Sequence, residues 1–213
     1  MERKIAEDLL KIKAVFLRPE EPFTWASGIK SPIYCDNRLT LSDVEVRNDV
    51  ENAIAELIKK YYPETEMVIG TSTAGIAHAA IVATILNLPM GYVRGSNKDH
   101  GRNNKIEGKV EPGTKCVVVE DLISTAKSAI EVCETLREVG AEVLGIASIF
   151  TYGMTKSSDK LAEHNIINHS ASNYDTLIDV AIECGYIEAL QKDALLAFRN
   201  NPDDESWINK ELI

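Results

Sequence analysis

Residues 115–128 read Lys-Cys-Val-Val-Val-Glu-Asp-Leu-Ile-Ser-Thr-Ala-Lys-Ser, and few architectures accommodate such a run. Cys116–Val119 is too short for a helix and β-branched enough for a central parallel strand covered on both faces. The amphipathic pattern of a helix follows over about Ala129–Val139. Between them lie two adjacent carboxylates and a loop of small and hydroxyl residues. In an open α/β sheet, ligands bind in the strand-to-helix loops at the carboxyl ends of the strands, and Glu120–Ser128 is expected in such a loop.

The chemistry of that loop suits a sugar phosphate. Backbone N–H groups of a small-residue loop, with the positive end of the next helix, can wrap a phosphate dianion, and Ser124, Thr125 and Ser128 add donors. Carboxylates repel phosphate but accept well from hydroxyls, so Glu120 and Asp121 suit a ribose diol beside it. The alternative is plain capping: Ser128 with Glu131 fits a capping box, and Asp121 could favour a helix N-terminus. Capping accounts for one acid and one hydroxyl, whereas five polar residues follow this strand.

The rest of the chain repeats the alternation of strand and helix. Apolar spacing predicts a helix over about Arg3–Leu17, then an irregular stretch punctuated by Pro19, Pro22, Gly28 and Pro32. That stretch carries Phe23, Trp25 and Tyr34 with Lys30 and Arg38. Aromatics beside cations suit a flat anionic ring; by composition they equally suit a cover for the sheet edge. Ser42–Tyr61 reads as a second helix with Ser42 as N-cap. Glu66–Thr71 reads as a strand leading into Thr71-Ser72-Thr73-Ala74-Gly75 and a helix to about Leu88, a second candidate anion loop. Met90–Arg94 is a short strand. After it, four cations, Arg94, Lys98, Arg102 and Lys105, face the single anion Asp99, with His100 among them. Few apolar residues lie there, so the segment reads as a mobile cationic lid over about 95–108, hinged at Gly95, Gly101 and Gly108. Val143–Phe150 is a long strand, Lys156–His164 a helix, Ile166–Asn168 a short strand, and Asn173–Cys184 and Ile187–Phe198 two closing helices. Trp207 is expected to pack back on the body. The pattern predicts one domain over residues 1–213, a parallel, doubly wound α/β sheet flanked by helices, with a small subregion at one edge.

Charge and composition exclude several classes. A net charge of −10 argues against general nucleic-acid binding, which needs a basic surface. Four scattered cysteines make no metal-ligand spacing with the four histidines and read as reduced thiols. No secretory leader is read from the charged beginning, and the apolar region Ala74–Val93 is broken by His78, Asn87 and Pro89. A cytoplasmic protein is expected, with neither nucleic acid nor membrane as a partner.

Four apolar residues, Glu-Asp, three residues, Thr, two small-residue positions and Ser resemble the phosphoribosyl pyrophosphate (PRPP) motif of type I phosphoribosyltransferases. Ser27-Gly28-Ile29-Lys30-Ser31-Pro32-Ile33-Tyr34 and Lys98-Asp99-His100-Gly101 are further similar to orotate phosphoribosyltransferases, and the likeness runs from about residue 10 to 185. It implies transfer of ribose 5-phosphate from PRPP to orotate, with Mg²⁺ held mainly through PRPP. It also implies a hood over the pyrimidine, from about residues 18–40 with the amino-terminal helix. By position, Glu120 and Asp121 would bind the ribose hydroxyls, and Thr125, Ala126, Lys127 and Ser128 the 5′-phosphate. Leu122 and Ile123 complete the PRPP-binding stretch, and Ser124 would touch both PRPP and orotate. Arg94, Lys98 and His100 would meet pyrophosphate, Lys98 being the catalytic residue. The lid would reach into a partner's site, which implies a homodimer. The chain departs from the pattern at Ala126 and Lys127, where the family usually has Gly after Thr125, and at Gly95-Ser96-Asn97, where a further Lys is usual. Ala26 stands where some branches have Lys. Two alternatives stay open: a phosphoribosyltransferase for another base, and a weakly catalytic PRPP-binding regulator of the same fold.

Overall fold

The apolar runs that alternate with amphipathic stretches form a six-stranded sheet in the computed structural model, which describes residues 1–25, 28–95 and 105–208. Its strands are β5 (Met67–Thr71), β6 (Met90–Val93), β7 (Ile106–Glu107), β8 (Lys115–Ile123), β9 (Glu142–Thr151) and β10 (Asn168–Asn173). Their order is β10-β9-β8-β5-β6-β7, all parallel except β7, which runs antiparallel to β6. Alternate residues of the central strands serve two cores. Val68, Val117, Val119, Ala147 and Ile149 face α1 (Glu2–Lys11), α2 (Val44–Tyr61), α3 (Ala74–Leu86), α6 (Tyr174–Glu183) and α7 (Lys192–Asn200). Met67, Ile69, Cys116, Val118 and Ile146 face α4 (Lys127–Glu138) and α5 (Thr155–Glu163). Helices on both faces explain why the strands read as unbroken apolar runs.

Several boundaries differ from expectation. The first helix stops at Lys11, not Leu17: Lys13 turns left-handed at φ 59°, and the Ala14 N–H closes on Leu9 O at 2.9 Å. Val15–Leu17 is β1, antiparallel to β4 (Ile33–Cys35); three consecutive apolar residues fit either period. The cap of α2 is Asp43, whose Oδ1 accepts from Val46 N at 3.1 Å, because Ser42 belongs to a 3₁₀ turn over Asn37–Ser42. The β8 strand runs four residues past Val119, so Glu120 and Asp121 stand in the strand rather than in the loop. The last strand is Asn168–Asn173, not Ile166–Asn168, and a 3₁₀ turn at Ala189–Gln191 precedes α7. Of the expected lid, Ile106–Gly108 is joined to the sheet: Arg94 N donates to Lys105 O at 2.8 Å, and Glu107 pairs with Tyr92.

The amino-terminal segment forms two small ribbons, β1 with β4, and β2 (Phe23–Thr24) with β3 (Lys30–Ser31). Its aromatics divide the two readings between them. The Trp25 ring stacks on Tyr152 at 5.5 Å and meets the Phe198 edge at 5.7 Å, and Trp207 continues the cluster against Phe198. Trp25 is thus an anchor to the body, whereas Phe23 and Tyr34 pair at 5.7 Å with Tyr34 43% exposed. Arg38 is held by Asp36 through two bonds of 2.6 and 2.7 Å.

Gly145 on β9 is dictated by a neighbour. A Cβ there would lie 2.4 Å from the Tyr62 hydroxyl, which cannot swing away because it donates to Ile167 O at 2.8 Å and lies 3.2 Å from Ile146 O. Gly145→Ala is expected to cost about 2 kcal/mol, lowering Tm by roughly 4–8 °C in scanning calorimetry. An unchanged Tm would show that Tyr62 is not fixed.

Candidate active site

The carboxyl ends of β5 and β8 lie side by side, and each strand hands over to a helix through a short turn. Thr71-Ser72-Thr73 leads into α3, with the Ser72–Thr73 peptide cis, and Ser124-Thr125-Ala126 leads into α4. Neither helix has a side-chain hydrogen bond at its N-cap, Thr73 or Ala126. Two helix amino-terminal ends without a side-chain cap therefore follow adjacent strands, and such ends attract anions. The capping box weighed as the alternative does not form: Ser128 lies inside α4, and its hydroxyl lies 3.4 Å from Glu120 Oε2.

Glu120 is 4% exposed and surrounded by donors. Its Oε1 accepts from Thr71 Oγ1 at 2.7 Å and from Asp121 N at 3.0 Å. Burial, then the Asp121 carboxyl beside it, pushes its pKa up to about 8. Asp121 and Leu122 are half-buried and Ile123 fully buried. Ile123 offers no open side chain, and its carbonyl accepts from Tyr152 N at 3.0 Å. Ser124 is half-buried and Thr125 exposed.

Ala126 sits at φ 60°, in the left-handed region where glycine is at ease, with its methyl buried. The loop thus takes a glycine-type turn without the glycine. Lys127 leans along α4, its side chain 79% exposed and its Nζ 3.9 Å from Glu131. It neither fills nor blocks the turn at Ser124–Ala126.

A cleft of about 310 Å³ runs from Thr71 and Ser72 along the side of α4, lined also by Arg94, Lys105, Ser128, Glu131 and Thr135 among others. Arg94 Nε is 3.4 Å from Glu107 Oε1. Lys98 and His100 lie outside the described residues, as do Ser96, Asn97, Gly101 and Ala26. A wider groove of about 440 Å³ runs between α4 and α5, away from the strand ends, where His164 Nδ1 lies 3.1 Å from Glu134. Among the described residues, no group of three or more His, Cys, Asp or Glu side chains is placed to hold a metal. Asp121, half-buried beside Glu120, is the more open of the two carboxylates, and a single carboxylate would suit Mg²⁺, which keeps phosphate and water ligands.

Two contributors had no local signal. Thr71 reaches Glu120 across 49 residues of sequence, and Asn37 Nδ2 donates to Asp121 O across 84. Gly75 lets Thr71 do so, since a Cβ there would lie 2.4 Å from Thr71 Oγ1 and 2.6 Å from Val119 O.

Comparison with known proteins gives a consistent result. The profile of the phosphoribosyl transferase domain matches residues 43–183. The orotate phosphoribosyltransferase of Bacillus subtilis (strain 168) is 55% identical over 206 residues, covering 97% of this chain and 95% of that protein. The crystal structure of orotate phosphoribosyltransferase from Aeropyrum pernix superposes with a TM-score of 0.74 at 30% identity, over 86% of this chain and 99% of that one. Leishmania donovani UMP synthase shares the fold, with a TM-score of 0.79 at 23% identity, over 92% of this chain and 42% of that longer one.

The raised Glu120 pKa has a measurable consequence. The folded chain keeps a proton that the unfolded chain, with an ordinary carboxylate, has released, so folding is favoured at low pH. That contribution is complete below the unfolded value and is lost as pH rises through about 8. Glu120→Gln removes the titration. Between pH 5 and pH 8.5 the ligand-free wild type is expected to lose at least about 3 °C of Tm relative to Glu120→Gln. A difference between the two proteins that does not change with pH would exclude a buried proton at Glu120.

Proposed function

The chain belongs to the phosphoribosyltransferases, and within them to the orotate phosphoribosyltransferases; on that premise we propose how its own residues perform the transfer of ribose 5-phosphate from PRPP to orotate. The products are orotidine 5′-monophosphate and pyrophosphate, a step of pyrimidine biosynthesis. The observation that carries the assignment of roles is the pairing of two adjacent strand-end turns, with uncapped helices, around the Glu120–Asp121 carboxylates.

In this reading N1 of orotate attacks the anomeric carbon as the bond from that carbon to the pyrophosphate oxygen breaks; the electron pair leaves with pyrophosphate, and the N1 proton passes to solvent or to a departing pyrophosphate oxygen. Positive charge builds on the sugar and negative charge on the leaving group. The N–H groups at the start of α4, with the hydroxyls of Thr125 and Ser128, hold the 5′-phosphate, and Leu122, Ile123 and Ala126 contribute backbone rather than polar side chains. Lys127 adds positive charge near the phosphate from its outer side. Glu120 and Asp121 hold the ribose diol and fix the sugar for in-line displacement. Ser124 stands between PRPP and orotate. The Thr71–Thr73 turn and the α3 end receive pyrophosphate, with Arg94, Lys98 and His100 neutralising it as the bond breaks. Lys98 is assigned the catalytic part. Mg²⁺ accompanies PRPP and offsets its charge.

The lid is read as shared across a homodimer, and residues 18–40 as a hood over the base. Helix α3 supports the dimer: Ala77, Ala80, Ile81, Thr84 and Ile85 form an open or half-open face, and no Asp, Glu, Lys or Arg lies between Ala74 and Leu88. The four cysteines are free thiols, in keeping with a reducing cytoplasm.

Purified protein supplied with PRPP and Mg²⁺ is expected to consume orotate, followed by its ultraviolet absorbance, and to leave uracil, adenine and xanthine untouched. Lys98→Ala is expected to lower kcat by about 10²–10³, the size of effect seen when one preorganised charge donor is removed. Turnover of another base but not orotate would sink the reading, and an unaffected Lys98→Ala would remove that residue from the chemistry.

A further inference from the structure

Asn37 lies two residues past the end of β4 and is 1% exposed. Its Nδ2 donates to Asp121 O at 2.7 Å, and its Oδ1 accepts from Cys35 Sγ at 3.3 Å. The first bond falls where the sheet has run out on one side. β5 and β8 last pair at Gly70 and Val119, whereas β8 continues to Ile123 with β9 alone beside it. Carbonyls on such a bare edge need donors. Thr71 Oγ1 lies 3.3 Å from Val119 O, with its one proton directed to Glu120 Oε1 at 2.7 Å. Asn37 answers the need at Asp121 O, on that same edge, since alternate residues of a strand present their backbone groups to the same side.

We propose that Asn37 is a positioning residue of the transfer reaction, tying the amino-terminal segment that carries Phe23, Lys30 and Tyr34 to the backbone of the ribose-holding carboxylates. The inference rests on the orotate phosphoribosyltransferase reading of the site. Asp121 N donates to Glu120 Oε1 at 3.0 Å, so the residue whose carbonyl Asn37 grips also braces the buried carboxylate. Acceptor base and anomeric carbon are thereby held on one frame. The amino-terminal segment keeps its separate hold on the body through Trp25 against Tyr152, so losing Asn37 frees the register between the two halves of the site rather than the fold. β8 remains braced by β9 and Thr71, which leaves the PRPP side in place. A shift of the base by about 1 Å is enough to cost roughly 10²-fold in rate.

Three measurements on the full chain decide it. Wild type is assayed first; if it does not turn orotate over, the parent reading fails and this inference with it. With wild type active, Asn37→Ala is expected to raise the orotate KM and lower kcat, with kcat/KM for orotate down at least ~30-fold. PRPP affinity, measured by calorimetry without orotate, is expected to stay within about threefold, because the bond joins the halves and does not touch PRPP. An orotate kcat/KM within threefold of wild type overturns the proposal. So does an equal loss in PRPP affinity, the mark of a generally loosened site. Asn37→Asp, of the same shape, decides the matter if the alanine variant does not fold. Its carboxyl donates to Asp121 O only when protonated, so its activity relative to wild type is expected to rise as pH falls from 8 to 5.5. A ratio flat with pH overturns the role of the donated bond.

Discussion

A carboxyl group taken almost wholly out of water at the end of a parallel strand has to be given hydrogen-bond partners, and the arrangement around Glu120 meets that demand. Thr71 reaches it because β5 stops where β8 goes on, and Thr71 can approach because Gly75 leaves room that a Cβ would occupy at 2.4 Å from the hydroxyl. One missing methyl at the start of α3 therefore bears on the protonation of a carboxyl on the neighbouring strand. The same stagger of strand ends leaves Glu120 and Asp121 beyond the last pairing with β5. Site and fold share one cause, the unequal lengths of β5 and β8.

The amino-terminal segment is joined to this frame by contacts of different kinds. Trp25 is half-buried in an aromatic cluster with Tyr152, Phe198 and, beyond it, Trp207, an apolar contact that fixes position but is tolerant of small slides. The Asn37 bond to Asp121 is a single directional contact that fixes register. Ser31 adds an internal brace by donating to Ile33 O at 2.8 Å. Bulk adhesion at one end and a directional bond at the other hold a small segment in place without making it part of the main sheet.

What could be read from the chain follows from how local each signal is. The buried strands at Met67, Cys116 and Glu142 were legible because burial on both faces leaves an unbroken β-branched run. Val15–Leu17 was not, because three apolar residues continue a helical stripe as well as they begin a strand, and no sequence cue marks the left-handed turn at Lys13. Acidic residues are depleted in strands, so the reading stopped β8 at Val119, four residues short. The last strand, Asn-His-Ser-Ala-Ser-Asn, hides behind polar side chains, among them Ser170, whose hydroxyl lies 2.7 Å from Ser148 Oγ. The contiguous Glu120–Ser128 stretch was visible as a unit, whereas Thr71 and Asn37 reach it over 49 and 84 residues and leave no local trace.

The substitution of alanine for the usual glycine at position 126 is where local geometry and energy can be weighed against each other. A left-handed alanine costs roughly 1–2 kcal/mol. Against that, its methyl is 4% exposed within the core beneath α4, and burying one such carbon returns about 0.8 kcal/mol. Glycine there would also lose more chain entropy on folding, by about 0.5–1 kcal/mol. The opposing terms nearly cancel, so the turn keeps the φ of 60° that a glycine would adopt freely. Lys127, one residue on, has its Nζ carried out toward Glu131. The turn therefore departs from the usual pattern in composition while keeping a left-handed backbone at position 126.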